Sequence, residues 1–473
     1  MTKRKPNIVI LVPDEMNTRP VGCYGQPLPV TPFMDRLAQR GAKFENFFTS
    51  HPKCVPARVA LLTAQHPHVG GHRTLELDDR PEEPNLIRTL CENGYRTVMV
   101  GRNHMVDADT LPLTFDEYLD VRGRWTLEPE DPDSVPPGSY LVGHDPVPYE
   151  EHLDVVRTNA AIDWIEKHAD NDQPFYMQVN YNFPHCPYSV PEPFYEKLDR
   201  NQIELPSFPK VGKLPRLHQV LRKTYELDQM TDDQWRELIA CYYEMTMLID
   251  HEMGRIFQCL EKQNLIDDTI FVIWVDHGDF AGEFGLTEKW DTAFYDCITH
   301  VPFIMAGPGI DPQSVPALMQ TIDVLPTVLD LVGVEPPKGI QGKSFVPVLH
   351  GDVKELWDVV LCQGGQEREL IERTVPVDAR ERPCKAYLKK QQALCTEPTI
   401  NLRAKMIRDH EYKYMYHSAG FEEFYDLKND PMELHNRAGD ASCQDLLYEY
   451  RLKMISKLVE AETVLPWQEG LEA

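Results

Sequence analysis

The residues Cys54-Val55-Pro56-Ala57-Arg58 open an apolar run, Val59-Ala60-Leu61-Leu62-Thr63. The run suits a helix, and Pro56 falls in its first turn, where a missing N–H costs little. Cys54 then stands at the helix N-terminus, at the positive end of the dipole. That position favours a thiolate or an anionic substrate, and Arg58 adds a second positive charge. A cysteine that merely precedes a helix is the bland alternative. The pentapeptide gains weight from what accompanies it elsewhere in the chain.

Carboxylates and histidines accompany it. Asp14-Glu15 follows the run Asn7–Val12, and Gly101-Arg102-Asn103-His104 follows Thr97–Val100. His185 lies beyond Phe175–Val179, and Asp276-His277 follows Thr269–Val275. Asp14, Glu15 and Asp276 offer oxygen ligands, and His277 offers a nitrogen or a hydrogen-bond donor. Such a set suits a hard divalent cation, Ca²⁺, Mg²⁺ or Mn²⁺. Without a cation, three clustered carboxylates repel one another. An Asp after a strand is often only a helix N-cap, so Asp14 alone reads either way. The convergent set points to a cation site.

The elements that must position these residues are legible as alternating patterns. The apolar runs are short and β-branched, as in strands buried on both faces of a parallel sheet. Between them lie helical patterns at Pro32–Arg40, His152–His168 and Asp233–Asn264. Alternation of this kind predicts an α/β fold with a large, mainly parallel sheet flanked by helices. Ligands of open α/β sheets bind outside the carboxyl ends of the strands. Asp14, Glu15, His104, His185, Asp276 and His277 all fall at or after such ends. Residues 110–150 and 187–230 are Pro-rich and read as an insertion or lid and a further loop. Near residue 350 the character changes. Leu402–Arg408, Tyr412–Tyr416 and Glu423–Leu427 read as a β-meander, and Ser442–Ala461 as a final helix. The expected division is a catalytic domain over 1–355 and a smaller C-terminal α+β subdomain over 356–473.

Composition bounds the partners. The chain has 473 residues, 42% of them hydrophobic, which excludes wholesale disorder. Forty-eight Lys and Arg against 75 Asp and Glu give a net charge of −27. Nucleic acid and an anionic membrane surface are therefore poor partners. The apolar run after the basic start is too short for a signal core, so a cytoplasmic protein is expected. The eleven cysteines are scattered and read as mostly reduced, buried thiols.

Taken together, these residues resemble the type I sulfatases of the alkaline-phosphatase-like superfamily. The pentapeptide matches the signature in which the Cys is oxidised to Cα-formylglycine. The resemblance extends through "RPVGCYG" at Arg19–Gly25, "TPFMDRLAQRGAKFENFF" at Thr31–Phe48 and "VDHGDFAGEFG" at Val275–Gly285. It continues through "THVPFIMAGPG" at Thr299–Gly309 and "EFYDLKNDPMELHN" at Glu423–Asn436. "RPVGCYG" and "VDHGDFAGEFG" look similar to the iduronate-2-sulfatase-like branch. The resemblance implies hydrolysis of a sulfate ester of a carbohydrate or small alcohol. Hydrated formylglycine at position 54 would attack sulfur, expel the alcohol and then release sulfate from a covalent intermediate. Asp14, Glu15, Asp276, His277 and residue 54 would hold a divalent cation, Ca²⁺ first and Mn²⁺ or Mg²⁺ next. Arg58 would hold the diol, Arg102 and His104 the diol and sulfate. His185 and Lys289 would contact sulfate, and either could protonate the leaving oxygen. A formylglycine-generating enzyme would be a transient partner, and a homo-oligomer is compatible with the sequence.

Departures from the family pattern are Glu15 for Asp, Arg102 for Lys, His277 for Asn and Ala64 for Gly. His72 and Arg73 follow the nucleophile helix and are candidates to reach the substrate, with structural roles as the other reading. His300 reads as structural, and Cys23, Cys186 and Cys297 as core thiols. One rival function is a phosphonate monoester or phosphodiester hydrolase of the same superfamily, against which the Arg102/His104 pair leans. The other is a catalytically silent binding protein. It would show a damaged pentapeptide or a missing carboxylate, and neither is present.

Overall fold

The computed structural model describes residues 5–75, 78–206, 215–369, 371 and 384–462. Its strands in chain order are β1 (Asn7–Asp14), β2 (Ala42–Phe48), β3 (Arg96–Gly101), β4 (Glu117–Leu119), β5 (Leu141–Asp145), β6 (Phe175–Pro184) and β7 (Tyr188–Pro191). They continue as β8 (Thr269–Trp274), β9 (Phe303–Ala306), β10 (Gln313–Gln320), β11 (Val360–Gly364), β12 (Ala404–Arg408), β13 (Tyr412–His417) and β14 (Phe421–Asp426).

Eight of them form one sheet in the order β10-β2-β9-β8-β1-β6-β3-β4. β1 lies inside it, parallel to β6 and to β8. Only β9 runs antiparallel to its neighbours. Ile8 to Val12 are wholly buried, which is why this strand reads as a continuous apolar run rather than an alternating one. The carboxyl ends of β1, β3, β6 and β8 therefore bring residues 14, 102–104, 185 and 276–277 to one edge. That is the convergence the motifs require.

The expected helices are present at Pro32–Arg40, Leu153–His168 and Asp232–Lys262. Thr231 and Gln234 close a reciprocal capping box at the start of the longest. The same helix caps another. Asp250 accepts hydrogen bonds from the backbone N–H groups of Phe33 and Met34, both at 2.8 Å. It thereby satisfies the exposed donors of a helix whose own N-cap, Thr31, makes no side-chain bond. The described residues of the Pro-rich stretches carry regular elements. Residues 110–150 contain β4 and β5, 187–206 contain β7, and 215–230 contain a helix at Arg216–Tyr225. β5 and β7 form a small parallel sheet of their own. Among the described residues, no helix is long and apolar enough to cross a membrane.

The expected meander is present as β12, β13 and β14, and β11 joins it to make an antiparallel sheet of four. The helix Gln444–Glu462 covers this sheet, burying Leu447, Tyr450 and Met454 against Leu361, Ile407, Tyr414 and Phe424. The two sheets are tied by a buried cation. Lys413 on β13 pairs with Asp296 and with Glu433, each at 2.6 Å, and donates to the Phe294 carbonyl at 2.9 Å. Lys413→Met is expected to cost about 3–5 kcal/mol, because it leaves both carboxylates without their shared partner. Chemical denaturation midpoints for K413M and K413R check this, and the arginine variant should recover part of the loss.

Candidate active site

Cys54 is the first residue of the helix Cys54–Thr63, which is buried along its whole length. The helix ends at Ala64, whose φ of 50° lies in the left-handed region. Glycine adopts that conformation freely and alanine does so at a cost. The Gly-to-Ala departure is thus not free of strain.

Cys54 Sγ lies 3.5 Å from Asp14 Oδ1 and 3.2 Å from His277 Nε2. One ligand atom each from Asp14, Cys54, Asp276 and His277 lies within 4.8 Å of every other. Arg58, fully buried, underpins the group. Its Nε donates to Asp276 Oδ2 at 2.8 Å and its Nη2 to Asp14 Oδ2 at 3.1 Å. His277 Nδ1 lies 3.0 Å from the Gly278 carbonyl, which can only accept. The Nδ1 tautomer follows, leaving Nε2 with its lone pair toward Cys54.

Electrostatics separate the two carboxylates. Burial pushes Asp14 up, and Asp276 adds to the push against the pull of Arg58. Burial opposes ionisation of Asp276 too, but Arg58 and His277 outweigh it and hold that carboxyl below its ordinary range. One guanidinium thus serves two buried carboxylates. Together with the free Nε2, this donor set fits a divalent cation. The Cys54 thiol is pushed well up by burial and by Asp14. A helix N-terminus alone favours a thiolate, but here the neighbouring carboxylates and the loss of water overrule the dipole.

Glu15 departs from this group. Its φ of 68° is left-handed, and its Oε2 accepts from Lys289 Nζ at 2.7 Å. Lys289 also lies 2.9 Å from His185 Nε2. His185 Nδ1 faces the Cys186 carbonyl at 2.5 Å, so Nε2 is the acceptor of the Lys289 proton. Burial opposes the Lys289 charge, but Glu15 and its neighbours raise it well above the ordinary lysine range. Burial and Lys289 hold His185 neutral, and burial and Arg102 do the same for His104. Glu15 Oε1 is buried and makes no hydrogen bond.

Cys54, Arg102, His104, His185 and Lys289 all line one cavity of about 320 Å³. The motif segments, scattered from residue 54 to residue 289, meet there. The Sulfatase family model matches residues 6–334.

The chain belongs to the sulfatase family.

A choline-sulfatase of Rhizobium meliloti is 27% identical over 467 residues, covering 93% of this chain and 83% of the relative. A Δ4,5-hexuronate-2-O-sulfatase of Bacteroides thetaiotaomicron is 27% identical over 477 residues, covering 95% and 88%. Among solved structures, the phosphonate monoester hydrolase of Agrobacterium radiobacter superposes with a TM-score of 0.76 at 21% identity, covering 97% of this chain and 96% of that one. A 2-O GAG sulfatase superposes with a TM-score of 0.74 at 24% identity, covering 97% and 93%. The sulfatase is accordingly a sulfuric ester hydrolase on the alkaline-phosphatase-like fold.

Two sequence candidates are not brought to the cavity. His72 Nε2 lies 3.0 Å from Glu83, and Arg73 pairs with Glu367 at 2.5 Å. Neither lines the cavity that holds Cys54. His300 is structural, as expected, with Nε2 at 2.8 Å from the Glu45 carbonyl. Sequence reasoning missed the opposite wall of the sulfatase cavity. Lys53 pairs with Asp291 at 2.9 Å, and Lys390 pairs with Glu288 at 2.6 Å. Lys53 and Lys390 outweigh burial and hold Asp291 far below the carboxylate range. Tyr387 and Lys390 come from a helix at Lys385–Thr396. Lys53 and Glu288 could have been suspected as chain neighbours of Cys54 and Lys289. Nothing in the sequence of 385–396 marks it as part of a site.

Proposed function

We propose that the sulfatase matures by conversion of Cys54 to formylglycine and hydrolyses the sulfate ester of a carbohydrate or small alcohol. The observation that carries this is the placement of Cys54 at the cavity wall, between the Asp14–His277–Arg58 group and the Lys289–His185 pair. The hydrated aldehyde presents two hydroxyls. One attacks sulfur as the ester C–O–S linkage breaks at sulfur, and Asp276, held ionised by Arg58, assists removal of its proton. The departing alcohol oxygen takes a proton from Lys289. The remaining hydroxyl then loses its proton, the hemiacetal collapses, sulfate leaves and the aldehyde is restored. Arg58 orients the diol, and Arg102, His104 and His185 surround the sulfate oxygens. Asp14, Asp276, His277 and residue 54 would hold a divalent cation, Ca²⁺ by family expectation, with Glu15 Oε1 as a further donor and Lewis-acid polarisation as its chemistry.

The cavity size suits a sugar unit or small alcohol rather than a polymer segment. Lys53, Arg102 and Lys390 stand against Glu288 and Asp291 on its walls, so a neutral or anionic alcohol fits better than a quaternary ammonium. Paired sulfate and phosphonate monoesters of one alcohol test the assignment on protein co-expressed with a formylglycine-generating enzyme. Preferred turnover of the sulfate is expected. Preference for the phosphonate would transfer the chain to the rival reaction.

Chelation supplies a separate check. Exhaustive dialysis against a chelator is expected to abolish turnover, with recovery on adding back the cation. It should also lower the thermal midpoint. A ligand at about a hundred times its Kd contributes about 2.7 kcal/mol to stability, and that support is withdrawn.

A further inference from the structure

A second cluster of cations lies one wall away from the catalytic cavity. Arg73, Arg403, Lys405, His51 and Gln363 line a small separate cavity. The chain carries a net charge of −27, yet here three basic side chains face one acid. Glu367 pairs with Arg73 at 2.5 Å and stands 3.8 Å from Arg403. Lys405 donates to Gln363 Oε1, and Gln363 Nε2 lies 2.7 Å from His68 Nδ1. His51 is 1% exposed, and neither of its ring nitrogens has a hydrogen-bond partner among the described residues. An unpartnered buried imidazole is costly unless something comes to it. Burial and the neighbouring Arg73 and Arg403 push Lys405 down to about 7, as expected where cations outnumber their counter-charge.

We propose that Arg73, Arg403, Lys405 and His51 form a second oxyanion site, which takes a sulfate group in place of the Glu367 carboxylate. The cavity, about 10 Å³, has room for one water. The anion therefore enters by displacing the Glu367 carboxylate from Arg73 and Arg403, at a pairing where the Glu367 and Arg403 side chains are 29% and 55% exposed. Bidentate guanidinium donors suit a sulfate as well as a carboxylate. The wall shared with the catalytic cavity is thin. The Asp291 side chain faces Lys53 and the catalytic cavity, while its backbone carbonyl accepts from Gly365 N at 3.0 Å on the other side. Gln366, next to Glu367, donates to Asp291 Oδ2 at 3.2 Å. The sulfate group has two possible sources, the inorganic product of hydrolysis or a second sulfate on a longer substrate. The site stands on its own residues and does not depend on the chemistry assigned to Cys54.

Selenate is the probe, because its selenium is located by anomalous scattering. Crystals of the whole protein soaked in selenate should show a peak beside Lys405 and Arg73, apart from any peak at Cys54. In solution, Arg403→Gln should weaken sulfate inhibition at this site about tenfold, and Glu367→Gln should tighten it by a similar factor, the worth of one charge-assisted contact. Opposite shifts from neighbouring substitutions are not the signature of a folding defect. If inorganic sulfate is the ligand, wild-type inhibition has a non-competitive component that R403Q loses. If a second sulfate on the substrate is the ligand, R403Q raises KM for a disulfated ester and leaves a monosulfated one unchanged. Selenate found only at Cys54, with purely competitive inhibition and no KM difference between the two esters, would overturn the proposal.

Discussion

Cys54→Ala is expected to lower kcat/KM for a sulfate ester by about 10⁴-fold or more, the scale on which nucleophile deletions act. The fold should survive, since the Cys54 side chain adds little to a helix buried along its whole length. Cys54→Ser gives a sharper result. A serine hydroxyl can attack sulfur, but it has no geminal partner to expel sulfate from the ester it forms. The variant should release at most one equivalent of alcohol and then stop, with sulfate covalently retained on the peptide that carries residue 54. A mass spectrum of that peptide checks both the trapped ester in C54S and the aldehyde or its hydrate in the parent enzyme. An unmodified thiol in fully active enzyme would overturn the formylglycine reading. The burial and nearby carboxylates that push the thiol up make such a thiol a poor nucleophile at neutral pH.

What the sequence disclosed, it disclosed where one physical constraint acted alone. Strands β1, β3, β6 and β8 are legible because burial on both faces forces an unbroken apolar run, and each run stops where polar chemistry begins. The residues of the candidate metal group and the candidate nucleophile were legible because hard-cation ligands and an anion-seeking helix start demand particular side chains. Glu15 shows the limit. Its type suggested a ligand, but Oε2 is taken by Lys289 and only the buried Oε1 is left for a cation, a division that cannot be read from Asp-Glu. His72 and Arg73 show another. Proximity along the chain to Cys54 suggested contact with the substrate, whereas His72 meets the nearby Glu83 and Arg73 the distant Glu367, outside the cavity that holds Cys54. The helix Lys385–Thr396 lines the cavity with Tyr387, Lys390, Gln391 and Leu394 and carries no motif. Its place in the wall follows from the pairing of Lys390 with Glu288, a contact between residues about a hundred positions apart.

The sequence left the proton donor to the leaving alcohol open between His185 and Lys289, and we propose Lys289 on the strength of the contacts the pair makes. His185 spends its Nδ1–H on the Cys186 carbonyl and its Nε2 lone pair on Lys289, and burial beside the ammonium holds it neutral. Lys289 is protonated throughout the neutral range, with Glu15 sustaining its charge. Lys289→Arg keeps a cation and loses a proton donor, because a guanidinium does not release its proton near neutrality. For an alkyl sulfate, whose alkoxide needs protonation as it leaves, kcat should fall by about 10²–10⁴-fold, the range of general-acid catalysis. For an aryl sulfate with an electron-poor phenolate, which departs without help, the fall should be within about tenfold. The pH dependence separates the two donors. A histidine acid of ordinary pKa would lose its proton, and the alkyl ester its turnover, as pH rises through about 6.5. A lysine whose pKa is raised keeps the proton through that window, so alkyl turnover should hold level there in the parent enzyme and in His185→Gln alike. A midpoint near 6.5 that disappears in H185Q, or equal losses on both esters in K289R, would assign the proton to His185 instead.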